Sequence, residues 1–529
     1  MARGSDFALN RPSHRAETDS ALSVFLSRPA MSDPRFPSII AEPDLRDSLW
    51  DLRTPAPRAC PPLEQQPNAE SHEGAVQLSG VVSALSYALD ITEGQPEGHA
   101  ARTCMIGMRI AETLGLDDDM KSALFYALQL KDLGCSSNAA KVASLFGADD
   151  HAIKRDFKTT DWPRTTSTLA YILRNISPQS PLTHKIGRFI AIGVSGQKGA
   201  REMVRIRCER GAEIARIFGL PDATAEAIRG LDEHWNGKGH PSGLAGEAIP
   251  LLARIACLSQ TVEVFVASAG LDSAMEMAQR RSGRWFDPEL VRILLSLRHD
   301  RNLWEKYSSE KAYRQVMQYE PPDRMIIADD ARLDRVALGF AQVVDAKSPW
   351  TAKHSEVVTW LAVGAATALG QDDAELRRLH RAGLLHDIGK LGVSSAILDK
   401  PGKLTDDERL AIQQHPAYTQ HILERIQGFE KITAIAAAHH ERLDGKGYHR
   451  GITAKHLSKS MRCLVVADIC EALSAQRPYR DTMPMAQVLS IMEKEVGSGL
   501  CPEAFRALKF FLDATGFRAN GEESASVAA

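Results

Sequence analysis

Apolar residues recur at three- and four-residue spacing along most of this chain, the mark of helices that bury one face. Val76–Leu89 carries the pattern, as do residues 99–115 and 119–133, each ending near a glycine. It resumes over 201–218, 222–233 and 249–269. Between 140 and 200 it loosens, with Trp162-Pro163 and Pro178–Pro181 as breakers. Asp287-Pro288-Glu289 predicts a helix begun by proline, and Pro321-Pro322 reads as a linker. A second helical block runs from near Ile326 to near Leu512. Strand-like alternation is scarce, so the fold class is all-α.

Both ends break the pattern. Ten of the 26 prolines fall in the first 67 residues, among Ser, Arg and Asp. Such a segment cannot bury enough apolar surface to offset chain entropy, and 1–72 is expected to be a disordered tail. Residues 516–529 turn Gly-, Ser- and Glu-rich and form a second tail.

Between the tails the chain repeats itself. His99 is followed 33 residues later by Asp132, within Leu130-Lys131-Asp132-Leu133-Gly134. His354 is followed 33 residues later by Asp387, within Leu385-His386-Asp387-Ile388-Gly389. Asn236-Gly237-Lys238-Gly239-His240-Pro241 mirrors Asp444-Gly445-Lys446-Gly447-Tyr448-His449, and 15 residues separate Gly239 from Arg254 and Gly447 from Arg462. Asp287-Pro288-Glu289 echoes Pro502-Glu503. Matches in this order predict two tandem helical domains, 73–320 and 321–515. The first carries an insertion of about 47 residues, where the helical pattern loosens.

Composition narrows the function. A net charge of −3 and a pI near 6.6 give no electrostatic case for nucleic acid. Eight scattered cysteines without a CxxC pair read as free thiols in a reducing compartment. No apolar run is read as long enough to span a membrane, and the N-terminus lacks a signal-peptide plan. A cytoplasmic protein without a membrane partner is expected.

Nine of the 17 histidines lie between 354 and 456. His354 opens a helix. His386-Asp387 ends one and is followed by Gly389-Lys390. His415 precedes Pro416 at a helix junction, after the capping-box pattern Thr405–Glu408. His439-His440 closes the apolar helix Ile432–Ala438. Asp468 sits inside the apolar run Cys463–Leu473, where a carboxylate must be paired, hydrogen-bonded or metal-bound. Taken singly, His354 and His415 would be ordinary solvated residues, and His-Asp-x-Gly-Lys would serve as a helix C-terminus. Together, five imidazoles and two carboxylates exceed the needs of one cation and suit two. Lys390, one turn beyond His386, suits a phosphate oxygen beside the same cation. Asp387 is the natural bridge. His380, His421 and His456 read as structural or surface residues.

These residues resemble the HD-GYP group of the HD phosphohydrolase superfamily. The matching text is His386-Asp387-Ile388-Gly389-Lys390, His415-Pro416, His439-His440-Glu441-Arg442-Leu443-Asp444-Gly445-Lys446-Gly447-Tyr448, Asp468, and Arg477-Pro478-Tyr479-Arg480. The resemblance covers about 330–512. It implies an all-α fold and hydrolysis of cyclic di-GMP, to the linear dinucleotide or on to GMP, by a metal-activated hydroxide. It implies a two- or three-metal centre of iron or manganese. His354, His386, Asp387, His415, His439, His440 and Asp468 fall on its metal-ligand positions. Asp387 and Lys390 fall on catalytic ones, with Lys390, Tyr448, Arg477 and Arg480 against substrate. The family's Gly-Tyr-Pro is Gly447-Tyr448-His449 here, which puts affinity and base preference in question. Members with three metals carry a Glu four residues before the first His. That position is Trp350, so two metals are expected.

The first copy keeps His99 and Asp132, but Lys131 stands for the His of the pair and Cys135 for the Lys. Arg207, Leu231, Asp232 and Gln260 fill other ligand positions, and His234 aligns with Arg442. It reads as a pseudo-enzyme domain. Two readings compete with cyclic di-GMP hydrolysis: an HD phosphohydrolase of another nucleotide, including cyclic GMP-AMP, and a non-catalytic cyclic-dinucleotide sensor. The partner expectation beyond substrate is a homodimer or packing of the two repeats within one chain.

Overall fold

The computed structural model describes residues 76–146, 148–159, 175, 182–309, 312–476 and 481–517. The expected tail 1–72, the end of the second tail from 518, and Arg477 and Arg480 lie outside these residues. Helices dominate, as the periodicity predicts. The seven described cysteines are buried free thiols.

The repeat is visible in three dimensions. Helices His99–Leu114, Asp118–Leu130, Asp222–Arg229 and Leu251–Ala269 of the first copy recur as His354–Ala368, Asp373–Leu385, Glu430–Ala436 and Lys459–Ser474. The polar joints recur with them. Asp90 accepts the N–H groups of Gly98 and Ala100 at 2.9 Å each, and Asp345 accepts the Ser355 N–H at 3.1 Å and its hydroxyl at 2.8 Å. Each carboxylate thereby fixes the start of the helix that carries a key histidine. Glu233 accepts three loop N–H groups from Ser242 to Leu244, and Glu441 does the same for Arg450 to Ile452. Gly134 and Gly389 mark an equally close approach. A Cβ on either would stand 1.9 Å from a backbone oxygen, that of Arg207 or of His415. Only glycine fits there.

Three features depart from the sequence pattern. The helix expected at 201–218 is the second half of a 36-residue helix, Leu182–Ile217. Its first half holds Gly187, Gly193, Gly196 and Gly199, weak helix formers that mask the periodicity. Pro321-Pro322 does not behave as a free linker. Glu320 beside it is buried and accepts the Tyr126 hydroxyl at 2.5 Å, and Pro322–Arg324 forms a 3₁₀ turn. Ile327–Ala328 then pairs antiparallel with Val76–Gln77, strands too short to show as alternation. Finally, the 19-residue helix Leu251–Ala269 is long and apolar enough to cross a membrane, contrary to the sequence reading. Its Leu252, Ile255, Ala256 and Leu258 lie in the core, and its buried Glu263 pairs with Arg102 at 2.7 Å, as a core helix would.

If the close approach at Gly134 supports the first copy, Gly134→Ala will destabilise the protein by about 1–3 kcal/mol, the usual cost of overpacking. Urea denaturation measures this, and an unchanged midpoint would contradict the packing described.

Candidate metal centre

The seven predicted ligand-type side chains come from five helices or helix ends, and the fold brings them together. His354 is the first residue of His354–Ala368, and His386 and Asp387 follow the last turn of Asp373–Leu385. His415 begins His415–Leu423, His439 and His440 follow Glu430–Ala436, and Asp468 lies mid-helix in Lys459–Ser474.

Asp387 stands at the centre. Its Oδ2 is 3.2 Å from His354 Nε2 and 3.4 Å from His386 Nε2. Its Oδ1 is 3.4 Å from His415 Nε2 and 3.6 Å from His439 Nε2. Asp468 spans the same division, with Oδ1 3.6 Å from His354 Nε2 and Oδ2 3.7 Å from His440 Nδ1. His354, His386 and Asp387 could hold one ion, and His415, His439 and His440 another.

Backbone and carboxylate acceptors orient the rings. His386, His415 and His439 each donate Nδ1–H to the carbonyl three residues back, of Gly383, Ile412 and Ala436, at 2.6, 2.6 and 2.7 Å. His354 Nδ1 meets the Glu471 carboxylate at 2.5 Å. All four rings therefore turn Nε2 inward, the arrangement that fixes a ligand tautomer. His354 Nε2, His386 Nε2 and Asp387 Oδ1 are buried and lie in ion-pair range, but none has a hydrogen-bond partner in line. Orphaned buried polar atoms of this kind are costly, and a cation answers them. The donor set of imidazole and carboxylate fits a divalent transition metal.

The electrostatics point the same way. Burial pushes His415 and His439 down to about 3, leaving both neutral with a free lone pair. Burial, His439 and His415 hold His440 well below its ordinary value. His354 behaves oppositely: burial works against its charge, yet Glu471 and Asp387 push it up to about 10. Burial likewise opposes ionisation of Asp387, but His386 and Lys390 hold it well below the carboxylate range. The acidic half of the site thus demands positive charge, which a divalent cation also supplies.

Lys390 Nζ lies 2.5 Å from Asp387 Oδ2. Tyr448 stacks at a tilt on His440, ring centres 4.8 Å apart, and burial raises its hydroxyl pKa so that it stays protonated. His449 Nε2 meets Gln420 Oε1 at 3.1 Å. Trp350 is half-buried in the loop before His354, its N–H donating to Ser348 Oγ at 3.3 Å. His421 is surface-exposed and pairs with Glu424 at 3.1 Å.

Sequence reasoning missed Glu471, Asp345 and the loop-folding role of Glu441. The signal was available in the repeat: Glu263, Asp90 and Glu233 stand at matching offsets in the first copy.

That copy is filled by its own cations. His99 pairs with Glu263, Lys131 with Asp132, and Arg207 with Asp232. Glu93, Asp132 and Cys135 offer ligand atoms close together, but Lys154 Nζ is 3.6 Å from Glu93 and Lys131 holds Asp132. An ammonium thus stands where the second copy has an imidazole, with no lone pair to offer.

Known proteins resemble this chain in sequence and fold. The HD-domain family model matches residues 197–290 and 340–502, one segment in each copy. A 3'3'-cGAMP-specific phosphodiesterase 3 from Vibrio cholerae is 43% identical over 82% of this chain and 94% of its own length. The crystal structure of a V. cholerae cyclic GMP-AMP phosphodiesterase matches with a TM-score of 0.58 at 39% identity, covering 83% of this chain and 98% of that one. The cyclic di-GMP phosphodiesterase response regulator RpfG of Xanthomonas campestris is 33% identical over 32% of this chain and 45% of its own length. With the duplicated helical fold and the His-Asp centre, these similarities make the chain a phosphodiesterase of the HD-GYP group, within the HD superfamily of metal-dependent phosphohydrolases.

Proposed function

We propose that this chain hydrolyses cyclic dinucleotides and prefers 3'3'-cyclic GMP-AMP. One observation carries the reaction class: the buried Asp387 carboxylate, each oxygen facing its own pair of inward-turned imidazoles. Substrate choice is supported by the 43% identity to the Vibrio phosphodiesterase over 94% of that protein. Cyclic di-GMP, which the motif resemblance puts first, becomes the second reading, favoured by the likeness to RpfG over a shorter stretch.

His354, His386, Asp387 and Asp468 would hold one divalent ion, and His415, His439 and His440, with Asp387 beside them, would hold the other. Trp350, in place of a further carboxylate, leaves the count at two, with iron or manganese the metals the family resemblance implies. Bound there, the ions supply Lewis acidity to the phosphodiester and lower the pKa of a water. Asp387 keeps its charge in the site. Lys390 offsets the charge that builds on the phosphoryl oxygens, which a fixed ammonium does without ligating. Tyr448 donates its hydroxyl to substrate; Arg477 and Arg480, which the family resemblance puts against substrate, lie outside the described residues. Water adds to phosphorus, the bond to the 3'-oxygen breaks, and that oxygen gains a proton, giving the linear dinucleotide.

Metal-loaded full-length protein, assayed by chromatography, should show kcat/KM for 3'3'-cyclic GMP-AMP above that for cyclic di-GMP. The expected preference is on the order of tenfold, about 1.4 kcal/mol of differential transition-state binding. The reverse preference would overturn the substrate assignment, and metal-loaded protein that leaves both intact would favour the sensor.

Glu471→Gln removes the carboxylate behind His354 while keeping its shape. Metal affinity, read by chelator competition, should fall roughly 10- to 100-fold. Affinity equal to that of the parent would rule out His354 as a ligand oriented by Glu471.

A further inference from the structure

The turn that carries Lys390 is gripped from both copies. Lys390 lies in the 3₁₀ turn Ile388–Gly392. On its leading side the second copy holds it: Gly389 abuts the His415 carbonyl and donates its N–H to Thr419 Oγ at 3.1 Å. The trailing side is different. Lys347, only 1% exposed, donates to the Leu391 carbonyl at 2.8 Å, and its Nζ lies 3.0 Å from His151 Nε2. Asp150, fully buried, accepts the Ser395 N–H at 2.9 Å. Both Asp150 and His151 belong to helix Asp150–Thr159, inside the insertion of the first copy.

A buried ammonium needs a counter-charge. Burial pulls Lys347 down to about 7, and the negative charge of Asp150 is the largest influence opposing that fall. Burial also opposes the charge on Asp150, but Lys347 and Lys154 keep it below the ordinary carboxylate range. Asp150 and Lys347 each end on backbone within five residues of Lys390.

We propose that Asp150 of the degenerate copy and Lys347 are positioning residues for Lys390, holding the Leu391 carbonyl and the Ser395 N–H so that the ammonium meets the phosphoryl oxygens. The inserted segment of the first copy is thus part of what aims the active site of the second. Neither residue touches substrate. The inference rests on Lys390 being a phosphate contact, as argued above.

The test measures kcat, KM, metal content and thermal midpoint for the full-length metal-loaded protein with the better hydrolysed cyclic dinucleotide. Variants are Asp150→Ala, Asp150→Asn and Lys347→Met, each alone and combined with Lys390→Ala. Asp150→Ala and Lys347→Met should lower kcat about 10- to 100-fold, the scale of a small misplacement, with KM and metal content kept. Asp150→Asn retains an amide oxygen for the Ser395 N–H and should recover part of the rate. Against Lys390→Ala, itself down by about two to three orders of magnitude, none of the three should add a further loss. Losses that multiply with Lys390→Ala, an unchanged kcat, or departure of the metal would overturn the proposal. Should Asp150→Ala fail to fold, Asp150→Asn and Lys347→Met decide by the same cycle. Full activity in Lys390→Ala alone would instead refute the phosphate role of Lys390.

Discussion

Everything in the second copy is arranged around a buried carboxylate. Asp387 is 2% exposed and faces four imidazoles and one ammonium. A carboxylate out of water must be met by positive charge or by hydrogen bonds. Here the surrounding atoms are mostly lone-pair donors, because backbone carbonyls have already taken the Nδ1 protons of three rings. Such a cage is poorly satisfied without a cation and well satisfied with one. The helix ends, the Glu471 contact and the glycine at 389 all serve to hold that cage in register.

The first copy shows what happens when the demand is met from within. Lys131 and Arg207 supply the charge that a cation would bring, and Asp132 and Asp232 pair with them. The scaffold survives intact: Asp90, Glu233 and Glu263 make the same joints as Asp345, Glu441 and Glu471. The two copies therefore differ in the groups at the matching positions, not in the joints that hold them. What the copy retains is its scaffold, and through Asp150 its inserted segment reaches the Ser395 N–H, five residues beyond Lys390.

Much of this was legible in the residues. Helices showed in the 3.6-residue period, the duplication in matched spacings, and the centre in clustered histidines with an acid inside an apolar run. What stayed hidden has physical reasons. Ring orientation at His386, His415 and His439 depends on backbone carbonyls, which every residue has and no motif records. Four glycines obscured the first half of Leu182–Ile217. The cross-copy contact of Asp150 involves an aspartate and a serine N–H 245 positions apart, in the stretch where periodicity was weakest. Substrate preference was the least legible, because Gly447-Tyr448-His449 departs from the family at the residue that shapes the loop.

Metal stoichiometry tests the central claim most directly. Full-length protein purified without oxygen should contain two equivalents of iron or manganese by plasma mass spectrometry. Asp387→Ala should bring that close to zero, while Asp132→Ala, at the matching position of the first copy, should leave it unchanged. Metal retained by the Asp387 variant, or lost from a folded Asp132 variant, would contradict an account in which one buried carboxylate of the second copy organises the whole centre.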